Sequence, residues 1–284
     1  RFHSVEWPKD GDGARWLPKQ NRVYLQGVGE VKVDVHRPVQ GRVKTIQIKR
    51  QGRRWVLVLS CDDVPTNPLP ATDRPVGIDV GIASFATTSD GRHIENPRWG
   101  RAAADKLAAA QRRLARAKRR SKNRDRRRET VAARHRKIAN QRKDFHHKQA
   151  RSLVESYDLL VVEDLRIANM LGRAKPVPDP DNPGQYLANG ARAKSGLNRS
   201  ISDAGWGRFT SMLRAKAEDA GRTWIEVDPR HTSDGCEKCG YAAAENRITQ
   251  AEFECQRCSH RTHADEHAAR NILRAGLAHH ARAA

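Results

Sequence analysis

Four cysteines near the carboxyl end of the chain have a spacing that suits a metal ion. They form two Cys-x-x-Cys pairs, Cys236 with Cys239 and Cys255 with Cys258. Each pair places two thiolates on one side of a tight turn, and two such turns complete a tetrahedral site with Zn–S bonds of about 2.3 Å. Because protein sulfur fills all four positions, the spacing predicts a structural zinc ribbon rather than a catalytic zinc. Cys61 stands alone, which is typical of an ordinary buried thiol.

Three acids stand at positions where active sites are commonly built. Asp79 ends a glycine-flanked apolar segment, Glu163 ends a second apolar run, and Asp265 precedes a helical segment just after the ribbon. Strand ends gather at one edge of a sheet, so distant acids can converge there. Two Mg²⁺ ions about 3.5–4 Å apart could then relieve the repulsion, activate water and stabilise the leaving oxygen of a phosphodiester. From spacing alone, each acid could equally be a helix cap or a salt-bridge partner.

The charge of the chain indicates a polyanionic partner. The 284 residues carry 54 Lys and Arg against 33 Asp and Glu, a formal charge of +21. Between Gln111 and Arg151, 18 basic residues stand against 3 acids. A segment this unbalanced repels itself without a counter-polyanion, which favours nucleic-acid contact over a merely solvated surface. The predicted contact residues in this segment are Arg112, Arg113, Arg116, Lys118, Arg119, Arg120, Lys122, Arg126, Arg127, Arg134, Lys137, Arg142 and Lys143.

Other properties of the whole chain limit the class of protein. No apolar run is long enough to span a bilayer, and no signal-type segment opens the chain. Cysteines in metal-type pairs suit a reducing compartment, so the sequence predicts an intracellular protein. A basic ribosomal-type binder without chemistry is an alternative on charge alone, but it leaves the three acids unexplained.

The elements that must position these side chains follow from hydrophobic periodicity. Residues 20–60 alternate with period two and predict a small antiparallel sheet or barrel. A proline-rich linker over 63–75 separates it from the strand that ends near Asp79. Residues 102–151 predict two basic helices folded as a hairpin, with a break near 121–123.

The carboxyl-terminal part alternates strands and helices. Residues 159–164 predict a buried central strand, and 172–198 predict a mobile loop. Ser202 or Asp203 is predicted to cap a helix that is closed by Gly221. The remaining predicted elements are a strand over 223–228 and a short final helix over 267–277.

Beyond these residues, separate short motifs in one order resemble the OrfB/TnpB family of insertion-sequence proteins. Members of this family are transposon-encoded, RNA-guided nucleases related to the compact type V CRISPR effectors. The motifs occupy residues 36–38, 77–81, 94–97, 137–144, 162–165, 196–199, 228–230, the four cysteines, 264–265 and 268–273. So many motifs in order make chance agreement implausible.

The resemblance implies an α/β fold: an RNase H-like (RuvC-type) nuclease domain with an inserted basic helical hairpin and a zinc ribbon, preceded by a partial β-barrel. The family's catalytic acids fall in the first strand, the fourth strand and the last helix of the nuclease domain, which by motif are Asp79, Glu163 and Asp265. The implied domains are a partial wedge-like barrel over 1–70, a nuclease domain over 71–231 with 261–284 that includes the hairpin at 101–151, and a ribbon over 232–260.

The implied activity is RNA-guided, Mg²⁺-dependent cleavage of DNA in transposition or DNA recombination. The implied cofactors are a structural Zn²⁺ and two catalytic Mg²⁺ ions bound by the three acids. The implied partners are a guide RNA from the transposon end, target DNA and a separate tyrosine-based transposase, in the bacterial cytoplasm at the nucleoid. Arg230 is a further predicted phosphate contact, with an ordinary surface arginine as the alternative. A guided DNA-binding protein that no longer cuts, either a repressor or an inactive fragment, is the alternative function.

The chain also departs from the family pattern. It begins at Arg1 without methionine and lacks the N-terminal strand and helical recognition region usual in the family, so we expect a fragment or a trimmed protein. Residues 232–235 differ from the Thr-Ser-Gln usual before the first cysteine. After the last acid, Glu266 and His267 replace small or amide residues. We expect Glu266 to modify metal affinity beside Asp265 without a catalytic role.

Overall fold

A computed structural model of the protein describes residues 3–52, 54–182 and 184–283. The chain divides into two compact units, which consist of Arg1–Thr66 with Ala110–His135 and of Asn67–Ala109 with Arg136–Ala284. The sequence-based division instead places all of 101–151 in the nuclease domain, and that domain assignment stays a prediction. Arg1 and Ala284, where the first and last predicted domains begin and end, lie outside the described residues.

The first unit contains two three-stranded antiparallel sheets. Its strands are β1 (Ser4–Trp7), β2 (Ala14–Leu17), β3 (Arg22–Leu25), β4 (Gly29–Lys32), β5 (Arg42–Gln51) and β6 (Arg54–Asp62). One sheet has the order β1-β5-β6 and the other β2-β3-β4. Trp16, Val23 and Ile46 lie in one buried cluster that draws on both sheets. The antiparallel pairing predicted for 20–60 is confirmed, but the strands form two sheets rather than one continuous barrel. Cys61, on β6, is half-buried.

A five-stranded mixed sheet lies at the centre of the second unit. The strands of this unit are β7 (Pro75–Val80), β8 (Ser84–Thr88), β9 (His93–Glu95), β10 (Leu159–Glu163), β11 (Val177–Pro178), β12 (Tyr186–Leu187), β13 (Thr223–Val227), β14 (Glu252–Glu254) and β15 (Arg261–His263). The sheet has the order β13-β10-β7-β8-β9. Its strands β7, β10 and β13 run parallel, whereas β8 and β9 add antiparallel. The pairs β11–β12 and β14–β15 are short antiparallel ladders.

The described residues contain α-helices at the positions predicted from the sequence and further helices that were not predicted. They are α1 (Trp99–Ala102), α2 (Ala104–Ala115), α3 (Lys122–Ser156), α4 (Ile167–Met170), α5 (Ala191–Ala204), α6 (Trp206–Asp219) and α7 (Ala264–Ala283), with 3-10 turns at Pro18–Gln20 and Ala244–Asn246. The two predicted basic helices are α2 and α3, separated at residues 116–121. Among the described residues, no helix combines the length and the apolar character needed to cross a membrane.

One predicted helix start is wrong. Neither Ser202 nor Asp203 caps the helix that follows it, because both lie inside α5, which begins within the predicted loop over 172–198. The helix α6 starts instead after Gly205, whose φ of 72° is easily reached only without a Cβ. The carboxylate of Asp203 accepts hydrogen bonds from the backbone N–H groups of Gly100 (2.8 Å) and Arg101 (3.1 Å), so it caps the distant helix α1.

The last helix packs very closely on one face of the central sheet. A Cβ added at Gly77 on β7 would lie 2.1 Å from the carbonyl oxygen of Ala269 and 2.6 Å from the backbone nitrogen of Leu273, both on α7. A Cβ added at Gly276 would lie 2.5 Å from the methyl groups of Val161 on β10. Because glycine has no Cβ at either position, the backbones of helix and sheet approach more closely than any other residue would allow.

The opposite face of the sheet packs against other helices of the same unit. Alternate residues of β7 and β10, such as Ile78 and Val162, share a buried cluster with Leu153 of α3 and Phe209 of α6. Burial on both faces explains why β7 and β10 read as nearly continuous apolar runs.

Replacing Gly77 with alanine tests the close approach of α7. We expect a loss of about 1–3 kcal/mol or more in the free energy of unfolding, because the new methyl group meets backbone atoms that move only if α7 moves. Gly196→Ala in α5 is the matched control, since its Cβ would meet only Arg199 Nη2, at 3.9 Å, and should stabilise the helix by up to about 1 kcal/mol. Urea unfolding followed by circular dichroism measures both. An unchanged midpoint for Gly77→Ala would contradict the packing described here.

Candidate active site and zinc ribbon

Parallel pairing brings Asp79 and Glu163 to the same level of the sheet. Val162 on β10 pairs with Ile78 on β7, so the next residues of the two strands are Glu163 and Asp79. Both lie on the face that α7 covers, because Gly77 and Val161 stand two residues earlier on the same strands. The carboxyl ends of two parallel strands thus place two carboxylates side by side.

The helix α7 adds the third acid. Asp265 lies in the first turn of α7, not before the helix as predicted, and is one turn from Ala269, the residue that faces Gly77. Its side chain is buried and its charge acts on Asp79. Ligand oxygens of the three acids do not all lie within 4.8 Å of one another in the described structure. One ion therefore does not reach all three in this arrangement.

The surroundings of Asp79 and Glu163 change the protonation of both. Burial, then the charges of Glu163 and Asp265, raises the pKa of Asp79 from 3.8 to about 7, although the charge of Arg247 acts in the opposite direction. Burial also raises the pKa of Glu163, against a hydrogen bond from the Thr232 hydroxyl at 2.6 Å that favours its ionised form. Without a cation, the site therefore holds a proton on Asp79 up to about neutral pH.

Two further residues reach the acids from the neighbourhood of the ribbon, and sequence reasoning missed the contacts of both. Arg247 donates from Nη2 to Asp265 Oδ1 at 3.0 Å, and Thr232 donates to Glu163 Oε1. Thr232 stands in a segment noted only for its departure from the family pattern. No sequence motif marked Arg247 as a site residue, because it lies in the spacer between the two cysteine pairs. The guanidinium places positive charge beside Asp265 and acts on Asp79.

The four cysteine sulfurs form a compact cluster. Cys236 Sγ lies 3.7 Å from Cys258 Sγ, and Cys239 Sγ lies 3.5 Å from Cys255 Sγ, with all four sulfurs within 4.8 Å of one another. A tetrahedral zinc with Zn–S bonds of about 2.3 Å requires S–S separations of about 3.8 Å, so the donor set fits Zn²⁺. Desolvation, which raises the pKa of the Cys255 thiol, is outweighed by hydrogen bonds from the backbone N–H groups of Cys258 and Arg257, which hold that pKa below its usual range. Zinc binds the thiolate form that these bonds favour.

The ribbon is fastened to the helix that carries Asp265. Glu237, inside the first Cys-x-x-Cys turn, accepts a hydrogen bond from Arg270 Nε at 3.0 Å. The ring of His267 stacks on Phe253 with 3.8 Å between centroids, and Asn271 donates to the ribbon backbone. His267 therefore has a packing role. Folding of the ribbon helps to hold α7 in place.

The structure separates the predicted nucleic-acid contacts into exposed and partly buried side chains. Arg142 is largely buried and pairs with Asp203 at 2.8 Å, which gives it a structural partner. Arg127 and Arg134 are partly buried, and Arg230 is exposed, with Asp228 at 3.9 Å. The exposed members are Arg112, Arg113, Arg116, Lys118, Arg119, Arg120, Lys122, Arg126, Lys137 and Lys143. Their contact with nucleic acid stays a prediction.

Removing one zinc ligand tests the ribbon. We expect Cys236→Ser to lose bound zinc and to lower the melting temperature, because metal binding and ribbon folding are coupled. Cys61→Ser is the matched control, since this half-buried thiol lies outside the cluster. Elemental analysis gives zinc per chain, and circular dichroism gives the melting curve. Retained zinc with an unchanged melting curve would count against a structural zinc site.

The raised pKa of Asp79 predicts a pH dependence of stability. The folded protein holds this proton more tightly than the unfolded chain, so in Mg²⁺-free buffer the contribution of Asp79 to stability falls as pH rises from about 4 through about 7. We expect Asp79→Asn to remove this fall and, near pH 8, to exceed the native chain in stability by at most about 4 kcal/mol. Urea unfolding near pH 5 and pH 8 measures the difference.

The matched control for this measurement is Asp228→Asn, whose side chain is 66% exposed. A chelator must be avoided, since it would strip the ribbon. If Asp79→Asn keeps the pH slope of the native chain, the carboxylates do not interact as described.

Two protein-family models match the chain. The OrfB_IS605 model, described as "Probable transposase", matches residues 55–174, which contain Asp79 and Glu163. The Cas12f1-like TNB domain model matches residues 206–272, which contain the four cysteines and Asp265. Both segments fall on the elements that build the site and the ribbon.

Curated proteins from two bacteria are similar to most of the chain. InsQ of Escherichia coli strain K12, provisionally named an RNA-guided DNA endonuclease, is 34% identical over 94% of this chain and 65% of its own length. A protein of Streptomyces pristinaespiralis with the same provisional name is 37% identical over 82% of this chain and 52% of its own length. The chain therefore spans about half to two thirds of the length of these relatives.

Among solved structures, a cryo-EM structure of a Cas12f1–sgRNA–target DNA complex is similar at a TM-score of 0.47 and 20% identity, over 80% of this chain and 55% of that chain. The family assignment does not depend on this likeness. It follows from the two family models and from identity to InsQ over nearly the whole chain. The chain belongs to the OrfB/TnpB family, of which these two curated proteins are relatives.

Proposed function

We propose that this chain is an RNA-guided, Mg²⁺-dependent DNA endonuclease that acts in transposition or DNA recombination. The observation that carries the proposal is the cluster of Asp79, Glu163 and Asp265, close enough for two charges to act on the third. Along the chain, Asp79 lies in the first strand of the central sheet, Glu163 in the fourth, and Asp265 in the last helix. This order supports a RuvC-type reading of the sheet.

The donor set suits the proposed metal. Carboxylate oxygens are the ligands that Mg²⁺ prefers, and a bound pair of ions would supply activated water and stabilise the leaving oxygen of a phosphodiester. Asp79 and Glu163 would hold their oxygens on rigid strands, with Asp265 opposite on α7. Two ions, rather than one, would allow all three acids to take part at their present spacing.

Neighbouring side chains would orient these ligands. Thr232 fixes one oxygen of Glu163 and leaves the other free to bind metal. Arg247 contacts Asp265 at 3.0 Å, so it must share or release that oxygen when cations enter. Asp79 must give up its proton, which makes metal binding stronger as pH rises through about 7.

Guide RNA and target DNA are the proposed polyanions for the exposed basic surface of α2 and α3. Lys and Arg in this region would neutralise phosphates and release counterions, so binding should weaken steeply with salt. We propose residues 1–70 as the partial wedge-like barrel, 71–231 with 261–284 as the nuclease domain with its hairpin at 101–151, and 232–260 as the zinc ribbon. The separate transposase partner implied by resemblance has no support among the described features and stays a prediction.

A second candidate function is guided DNA binding without cleavage. One observation favours it: Arg247 already places a positive charge beside Asp265 and lowers the pKa of Asp79. Against it, all three acids are present and clustered.

Cleavage of target DNA by the purified chain with its transposon-end RNA, with and without Mg²⁺, distinguishes the two. We expect Mg²⁺-dependent cutting that falls by about 100-fold or more in Asp79→Asn, as when a group that stabilises the transition state is removed. Asp228→Asn, with an exposed side chain, is the matched control. Because Asp79→Asn is expected to be at least as stable as the native chain, lost cutting would not reflect unfolding.

The alternative results are equally informative. Binding of RNA and DNA without cutting would support the second candidate. Undiminished cutting by Asp79→Asn would place the active site elsewhere, and failure to bind either nucleic acid would overturn both candidates.

A further inference from the structure

A second group of metal-type side chains lies beside the three acids. It consists of His93 on β9, His263 at the end of β15 and Glu266 in the first turn of α7, and one ligand atom from each lies within 4.8 Å of the others. His93 Nε2 is 3.2 Å from Glu266 Oε1, and the rings of His93 and His263 meet edge to face with 4.9 Å between centroids. We call this group the His93 cluster.

The His93 cluster is next to the acids but separate from them. Asp79 pairs with Thr87 across β7 and β8, and Thr87 pairs with His93 across β8 and β9. Directly paired residues point to the same side of a sheet, so these three form one row on the face that α7 covers. His93 is thus two strands away from Asp79, and Glu266 directly follows Asp265 in the chain.

Neighbouring hydroxyl groups prepare His93 for coordination. Its Nδ1 lies 3.2 Å from Ser84 Oγ and 3.4 Å from Thr87 Oγ1. The hydroxyl oxygens of Ser84 and Thr87 can accept a proton from Nδ1, and in that tautomer Nε2 offers its lone pair on the side of Glu266. Such outer contacts fix the tautomer and orientation of histidine ligands in metal sites.

The second histidine of the cluster is not fully satisfied by hydrogen bonds among the described residues. Nδ1 of His263 is buried and has no hydrogen-bond partner among the described residues. A buried nitrogen without a partner costs free energy, and coordination of a metal is one way to recover it. Arg270 lies 3.5 Å from Glu266 Oε2, but its closer partner is Glu237 at 3.0 Å. The oxygen Oε1 of Glu266 faces His93 and not the arginine.

Solvent can reach the cluster. The side chains of His93 and Glu266 are 35% and 29% exposed. An ion could enter without opening the core, and water could fill a fourth position.

We propose that His93, His263 and Glu266 bind one divalent transition-metal ion, with Zn²⁺ as the best match. Two imidazoles and one carboxylate are a donor set of open zinc sites, which keep one position for water. Imidazole nitrogen disfavours Mg²⁺, so the His93 cluster and the three acids would select different ions. The site joins β9 to the first turn of α7, so a bound ion would fix the helix end that carries Asp265.

Zinc titration of the zinc-loaded chain by isothermal calorimetry tests the proposal. Excess Mg²⁺ is present because the three acids also accept divalent ions. We expect one additional equivalent of Zn²⁺ per chain, with its affinity lowered at least about tenfold in His93→Ala and in Glu266→Gln. His279→Ala, at an exposed position of α7, is the matched control and should bind as the native chain does. Circular dichroism verifies that each variant is folded.

Two results would overturn the proposal. One is binding of no zinc beyond the ribbon equivalent. The other is an additional equivalent that survives both His93→Ala and Glu266→Gln but disappears in Asp79→Asn, since the acids would then be the binding site. Cobalt gives an independent check: Co²⁺ in the His93 cluster should absorb weakly in the visible range without a thiolate charge-transfer band. None of these measurements depends on DNA cleavage.

Discussion

The contact between α7 and the sheet at Gly77 leaves no room for even one methyl group between two backbones. The position of Asp265 depends on that distance, because one turn of helix separates it from the residue over Gly77. Three carboxylates in one place cost free energy without a cation. Apolar packing of Ile272 on α7 against Val161 and Ile225 of the sheet opposes their repulsion. The site is therefore held together by packing beneath it and not by its own charges.

The position of α7 also depends on the ribbon that carries the four cysteines. Hydrogen bonds from Arg270 to Glu237 and from Asn271 to the ribbon backbone join α7 to the cysteine cluster. In return, Arg247 and Thr232 reach the acids from the ribbon side. The folding of the ribbon around its four cysteines sets the position of groups that contact two of the three acids. If the cysteines bind zinc, loss of that zinc would displace these groups although no zinc lies beside the acids.

Local patterns predicted the parts of the molecule that depend on local geometry. Apolar runs located β7 and β10, and cysteine spacing located the ribbon, because these signals lie within a few residues. The convergence of the acids followed from strand ends plus family resemblance. The cap formed by Asp203 could not be predicted, since its partners lie about one hundred residues earlier in the chain. Arg247 and the His93 cluster were missed for the same reason: their contacts form only when separate segments fold together.

Adjacent residues on α7 show how one helical turn can serve two kinds of ion. Successive side chains on a helix diverge by about 100°, so Asp265 and Glu266 cannot point into the same site. Asp265 joins two other carboxylates, whereas Glu266 joins two imidazoles. Oxygen donors favour Mg²⁺, and imidazole favours transition metals. The type of ligand would therefore direct different ions to the two sites, although Asp265 and Glu266 are neighbours in sequence. An ion in the His93 cluster would reduce the negative potential at Asp265 through space while it restrains the backbone that positions it. Such an ion would therefore have two opposing effects on the affinity of the acids for Mg²⁺. Its positive charge would weaken the attraction of Mg²⁺ to Asp265, whereas its restraint of the helix end would hold the Asp265 carboxylate in a better-ordered position.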